Sequence, residues 1–556
     1  MDTIKFKRLL LSALLLLLFW GALSWIPRQE PVSTPHPTHV SATSTLQKAV
    51  TTYVGVNNAI KSFTLIVPFI TITIPLGTFS PALVPTETRE VVTPINNIPI
   101  PSAPIKSNPT PSPPFAPSPT VLFKPKSQPI FGIQMDTLED MRTLEKAKEM
   151  GGYWVQSGTI SWSSIETIEG ERNWSALENF ELGMKNVVNN DLVPIVTIGN
   201  APLWAQKVPG YSCGPILEDK FTAFSNLLYD LVVRYHNPPF NIKYWQIWNE
   251  PDAGLYLTPA DSPWGCWGDQ TDQFYGGSYY GEMLKVIYPR IKAADPEAIV
   301  VIGGLLSDCG PINPPETQLG SGIYKDCTNS KFFEGILEAG AGSSFDVVNY
   351  HSYDYYYGDL GKFANPNWNS RWDTTGVVLL AKTQYYRSLL YRYGYPEKML
   401  INTETAVICG RTGEESQCQT EQFELTKAYY LVQTYASAIS EGLEANFWYS
   451  YKGWRASGLV DKSLSPLPAY LAYSFCSFML QDVSFSRKIN DFTDVVGYEF
   501  VDRNRRVWIL WSKDSKEQLV KFSSFPTAAY DVFGNRISTQ RDYTITVSPI
   551  YIEWGR

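Results

Sequence analysis

Residues 244–252 read Tyr-Trp-Gln-Ile-Trp-Asn-Glu-Pro-Asp, and the stretch changes character halfway. Its first half is aromatic and apolar, as a strand covered on both faces must be. Asn249, Glu250, Pro251 and Asp252 then bring an amide, two carboxylates and a residue that ends regular structure. A carboxylate at the carboxyl end of a barrel strand is where a (β/α)8 enzyme keeps its catalytic groups. The chemistry open to it is general acid or base catalysis. Read alone, the same residues also describe a strand closing in an ordinary polar turn, so the surrounding elements decide between the two.

Those elements follow a regular plan. From Pro129 onward apolar, strand-like runs fall at 130–135, 153–157, 193–198, 244–248, 299–305, 345–350, 399–402 and 446–449. Helical patterns lie between them, among others at 138–150, 221–235, 279–294 and 420–441. Strands alternating with helices at this spacing imply parallel βαβ units, and eight repeats imply an α/β fold closed as a (β/α)8 TIM barrel over 129–474. Glu250 then closes the fourth run, and the seventh run is followed directly by a second acid, Glu404.

Trp248-Asn249-Glu250-Pro251 resembles the acid/base signature of the clan A retaining glycoside hydrolases, and Met399-Leu-Ile-Asn-Thr-Glu404-Thr-Ala resembles their nucleophile strand. Gly152-Tyr-Trp-Val-Gln156 and Ser161-Trp162-Ser-Ser-Ile-Glu166 resemble the clan's second β/α unit, where many members have Arg in place of Gln156. Ala201-Pro202-Leu203-Trp204, Asn349-Tyr350-His351-Ser352-Tyr353 and Phe447-Trp448-Tyr449 follow strands three, six and eight, and the ensemble is most similar to family 39, the β-xylosidase-like relatives. The resemblance implies a glycosidase in which Glu250 is the acid/base and Glu404 the nucleophile of a double displacement. It implies further that Asn249 binds a sugar 2-hydroxyl, that His351 and Tyr353 orient the carboxylates, and that Trp448 and Trp204 are stacking platforms. The substrate would be an oligo- or polysaccharide, with no metal and no cofactor. A transglycosylase with the same residues and a catalytically silent carbohydrate-binding protein are the two other outcomes.

Composition agrees with this and excludes other classes. Aromatic residues make up 14% of the 556, including 17 Trp and 33 Tyr, as befits a protein that stacks rings on sugar faces, although aromatic cores give the same count. The net charge of −8 offers nothing to nucleic acid. Of only 4 His, two (His36 and His39) lie in a linker, which argues against a His-based metal centre. Residues 1–28 pair a basic start with a long apolar run and read as a signal anchor, with a cleaved signal peptide as the alternative, so the bulk is expected outside the cytoplasm, tied to a membrane or secreted. Residues 29–128 are rich in Pro, Thr and Ser and predict an extended tether. An apolar island at 64–77 inside it is broken by Pro68 and Pro75. Residues 475–556 alternate in short runs and predict a small β-sandwich. Seven Cys in an exported chain suggest disulfides. Neighbouring loops bring Cys213 near Cys266, shared loops bring Cys309 near Cys327 and Cys409 near Cys418, and Cys476 is left as a buried thiol, with other pairings open.

Overall fold

The computed structural model describes residues 129–555 apart from 255–264, 309, 311–327, 361–364, 373, 411 and 515, together with one hairpin nearer the amino terminus. The anchor expected at 1–28 and most of the tether lie outside the described residues. So do both members of the expected Cys309–Cys327 pair. Among the described residues no helix is long and apolar enough to cross a membrane. The apolar island within the tether carries regular structure: Ser62–Val67 pairs antiparallel with Ile70–Pro75, from Ser62 opposite Pro75 to Val67 opposite Ile70. Alternating Ile and Thr favour this extended pairing over a featureless tether.

The second unit begins with β1 (Phe131–Gln134) and continues through β2 (Trp154–Gln156), β3 (Val193–Gly199), β4 (Tyr244–Asn249), β5 (Ile299–Gly304), β6 (Val347–Leu360), β7 (Met399–Ile408) and β8 (Ala445–Trp448). Each strand pairs in parallel with the next, and β8 pairs with β1, so the barrel closes and leaves no open edge. One principal helix follows each strand: α1 (Met141–Glu149), α2 (Glu178–Asn189), α3 (Phe221–Tyr235), α4 (Gly277–Ala294), α5 (Phe332–Glu338), α6 (Val378–Arg392), α7 (Glu421–Ser440) and α8 (Pro468–Leu480). Two of the helices, α1 and α7, start at a side-chain cap. Asp140 accepts from the Arg142 amide before α1, and Thr420 accepts from the Phe423 amide before α7.

The barrel interior is layered. Trp154, Ile195, Val301, Val347, Ile401, Ala445 and Phe447 fill its lower part. The Phe447 ring leaves no room opposite, since a Cβ on Gly132 would lie 2.6 Å from it. Two residues further along β4, β6 and β7 the inward positions become polar, with Gln246, Asn349 and Thr403 joined by hydrogen bonds. The catalytic candidates stand one step above.

Two strands run further than their apolar cores. β6 continues to Leu360 and β7 to Ile408, paired as far as Tyr355 opposite Ile408. Beyond the barrel, β6 also pairs antiparallel with Pro366–Asn369. The extension alternates, with Ser352, Asp354 and Tyr356 buried and Tyr353, Tyr355 and Tyr357 on the more open side. That period-two pattern suits a wall above the barrel mouth, whereas the apolar run at 345–350 marks only the part inside the barrel.

The carboxyl-terminal strands are β9 (Ser484–Lys488), β10 (Val495–Val501), β11 (Arg505–Ser512), β12 (Gln518–Lys521), β13 (Ala528–Tyr530), β14 (Asp542–Ile545) and β15 (Ile550–Gly555). They form a five-stranded sheet in the order β9-β10-β11-β15-β13 and a second pair, β12-β14. Alternation along β11 serves two cores. Trp508 and Leu510 pack between the sheets with Phe522, Tyr543 and Trp554, while Val507, Ile509 and Trp511 join the core of the barrel and its helices. The boundary expected between 474 and 475 falls inside α8, whose buried Cys476 has its thiol pushed up to about 12 by burial.

Candidate active site

The sequence brings Glu250 to the end of β4, but backbone geometry aims it. Trp248 and Glu250 both sit in the left-handed region, with φ 67° and 45°. Such values are costly for side-chain-bearing residues and persist only where the surroundings enforce them. Trp248 is thereby turned into the helix layer, where its indole N–H donates to the Cys213 carbonyl at 2.8 Å and its ring packs on Phe224 and Trp267. A disulfide from Cys213 to Cys266 holds the two flanking loops.

Glu404 needs a different device. Thr403 points into the barrel, so strict alternation would turn Glu404 away from it. The β6–β7 register shifts between Asn402, opposite Tyr350, and Glu404, opposite His351, leaving Thr403 as an extra residue. This bulge re-aims the acid toward the mouth.

His351 links the two acids. Its Nδ1 lies 2.8 Å from a Glu250 oxygen and 3.4 Å from a Glu404 oxygen. Oxygens of Glu250 and Glu404 and a ring nitrogen of His351 all lie within 4.8 Å of one another. The imidazole is fully buried, and its Nε2 meets the Thr403 hydroxyl at 3.1 Å. A Cβ on Gly304 would stand 2.0 Å from that Nε2, so only glycine leaves the ring its place. The Tyr353 hydroxyl donates to Glu404 at close range. Gln246 donates to the Asn249 side-chain oxygen at 3.2 Å and fixes the amide's orientation.

Burial pushes the Glu404 carboxyl up to about 7; the Glu250 charge adds to the rise, while His351 and the Tyr353 hydroxyl oppose it. Burial alone would lower the His351 pKa, but the charges of Glu404 and Glu250 outweigh it and the pKa is raised. Both carboxylates thus favour the protonated form of the imidazole.

Three more buried residues brace the site, and of these Lys382 gives no sign in the sequence. Lys382 of α6 is buried and donates to the Leu306 and His351 carbonyls at 2.6 and 2.7 Å, tying the ends of β5 and β6 together. Asp252 accepts from the Leu306 and Ser307 amides at 2.8 and 2.7 Å, and burial lifts its carboxyl to about 6. Gln156 donates to Thr197 and Gln246 and brings no charge.

The two tryptophans stand elsewhere than expected. Trp448 is fully buried, its N–H donating to the Ser457 carbonyl, so it offers no face to a ligand. Side chains alternate along β8, and the next residue, half-buried Tyr449, turns its ring to within 5.9 Å of Tyr353 and 6.0 Å of the exposed Trp454. Trp204 packs against Trp162 and donates to the Glu166 carbonyl, in a cluster of the loops after β2 and β3.

Fold and site together define a (β/α)8 barrel with a paired-carboxylate centre on strands four and seven. No protein-family description and no curated protein matches the chain by sequence. Solved structures do match its fold. A family 39 glycoside hydrolase from the gut symbiont Bacteroides cellulosilyticus WH2 is 16% identical with a TM-score of 0.56, over 76% of this chain and 81% of that one. BuGH86 in complex with neoagarooctaose is 12% identical with a TM-score of 0.52, over 77% and 76%. A conserved exported protein from Bacteroides fragilis is 11% identical with a TM-score of 0.50, over 77% and 98%.

Proposed function

We propose that the protein is a glycosidase that cleaves O-glycosidic bonds with retention of configuration. The observation that carries this is the approach of Glu250 and Glu404, whose oxygens lie within 4.8 Å with His351 between them. Retaining enzymes hold their carboxyl groups about 5–5.5 Å apart, whereas inverting ones leave about 6.5–9.5 Å for a water. The likeness to a family 39 glycoside hydrolase supports the same reading at the level of fold.

In this mechanism Glu250 protonates the leaving oxygen while Glu404 attacks the anomeric carbon and forms a glycosyl ester. The ester cancels the Glu404 charge. Glu250, now ionised, takes a proton from water as the water attacks the ester, and both acids return to their starting states. His351 and Tyr353 hold the acids in line, and the Asn249 amide faces the sugar 2-hydroxyl. Tyr449 replaces Trp448 as the ring beside the reacting sugar.

An aryl glycoside with a good leaving group tests the roles. Glu250→Ala should form the ester, release a burst of phenol and stall. Azide should then restore turnover with the original anomeric configuration. Glu404→Ala should show no burst, and azide should give the inverted product. Inverted sugar from the wild type would refute the assignment. The same three side chains offer donors a cation could use. If a metal took part, a chelator would abolish turnover; the proposed chemistry leaves the rate unchanged. The Cys213–Cys266 and Cys409–Cys418 disulfides support an oxidising, extracytoplasmic site of action, with residues 1–28 as its anchor.

A further inference from the structure

The wall above the acids carries an aromatic and cationic corner that the proposed chemistry does not use. On its open side β6 presents Tyr353, which donates to Glu404, then Tyr355, then the exposed Tyr357. Trp454, in the loop after β8, is 47% exposed, with its ring 6.0 Å from that of Tyr353. The next residue, Arg455, lays its guanidinium 5.1 Å from the Trp454 ring centre and 5.5 Å from that of Tyr355. Arg371 covers the same Tyr355 ring at 4.7 Å.

The charges in this corner do not balance. Arg371 is paired with Asp308. Arg455 forms no ion pair among the described residues, and its buried Nε has no hydrogen-bond partner there. The acid whose charge acts on it is Glu415, which accepts from the Thr412 amide. Burial and the Arg371 charge both hold the Arg455 pKa below its usual range. Nevertheless the residue is fixed in place. Its carbonyl accepts from the Cys409 amide at 2.9 Å, beside the Cys409–Cys418 disulfide, and its φ is 51°. A guanidinium held rigid, half-buried and outside any ion pair among the described residues is poised for an anion from outside, which it can grip with two parallel hydrogen bonds.

We infer that this corner is a subsite for an anionic sugar, carrying a carboxylate or a sulfate, next to the bond that is cleaved. The inference rests on the glycosidase reading for the meaning of "next to". Two strand residues advance about 7 Å, so Tyr355 and its arginines stand about one sugar ring beyond Tyr353. Trp454 would stack on that ring while Arg455 takes its anion.

The test compares matched glycans on the full chain. Glucuronoxylan, polygalacturonate and a sulfated galactan are titrated beside their carboxyl-reduced or desulfated forms. The wild type should bind at least one acidic form tenfold or more tighter than its neutralised partner. Which form is preferred separates carboxylate from sulfate. The chain's own charge of −8 opposes unspecific attraction of polyanions, so a preference reports the local site. Arg455→Gln should remove the preference, and Trp454→Ala should weaken acidic and neutral forms together. Equal binding of both forms by the wild type overturns the inference, as does binding of none, or a preference that survives in R455Q. The wild-type comparison stands even if R455Q folds poorly. Hydrolysis of neutral glycans without acidic preference sinks this subsite and spares the glycosidase. Arg455-dependent acidic binding without any hydrolysis does the reverse.

Discussion

At the scale of single residues, the site is governed by one problem, namely that the buried carboxylate of Glu404 stands within reach of the half-buried one of Glu250. Glu404 carries the strain as a pKa raised to about 7, and the Tyr353 hydroxyl is one of two groups that lower it. Removing that hydroxyl should raise the pKa further. Glu404 must be ionised to attack, so Tyr353→Phe should move the acid limb of the kcat/KM profile upward, by about one unit, while the fold stays intact. A profile with an unmoved acid limb would show that Tyr353 does not act on the nucleophile. Mutating His351 removes the bridge between the two acids, so His351→Asn should cost more than Tyr353→Phe at every pH, by roughly tenfold or more.

At the scale of elements, the fit of β5 against β6 is what places the imidazole. Gly304→Ala would set a Cβ 2.0 Å from His351 Nε2. The ring must move, so activity should fall by about two orders of magnitude, with roughly 1–3 kcal/mol of stability lost to overpacking. A folded, fully active variant would mean the ring has space elsewhere. The same strand ties to α6 through Asp354, which accepts from the Val378 amide and the Tyr430 hydroxyl. Burial lifts its carboxyl to about 7, above that of an exposed aspartate. The folded state therefore holds this proton more tightly than the unfolded chain. Its support is complete below pH ~4 and is lost as pH rises through 7. Asp354→Asn keeps the acceptor and removes the charge, so the variant should be more stable than wild type at pH 8, by roughly 2–4 kcal/mol, and equal to it at pH ~4. Denaturant melts at the two pH values measure this directly.

For the molecule as a whole, barrel and carboxyl-terminal sheets share one core. Ile509, Val507 and Tyr551 of the sheet pack in the same cluster as Tyr435 of α7 and Tyr473 of α8. The helices are buried accordingly, and α7 is covered on nearly all sides. Residues 129–555 should therefore unfold in a single calorimetric transition. Ile509→Ala, by leaving a cavity in that shared core, should lower its midpoint at a cost of about 2–5 kcal/mol. Two separated transitions would mean the sheets are an independent domain.

The sequence alone determined the repeating strand–helix order, the count of barrel strands and the assignment of Glu250 to the fourth strand's end and of Glu404 to the seventh strand. Burial imposes a period on each element, and that period is written locally in the apolar residues. The tertiary structure decided where the side chains point. A register shift at Thr403 and left-handed backbone at Trp248 and Glu250 turn the two acids together, and strict alternation would have turned Glu404 away. One step of the same alternation set the half-buried ring of Tyr449, and not that of the fully buried Trp448, beside Tyr353. Lys382, Gly304 and Arg455 were silent in the sequence because their roles arise from neighbours far along the chain. A lysine in a helix, a glycine ending a strand and an arginine in a loop acquire meaning only when closure of the barrel brings a carbonyl, an imidazole or an unbalanced charge beside them.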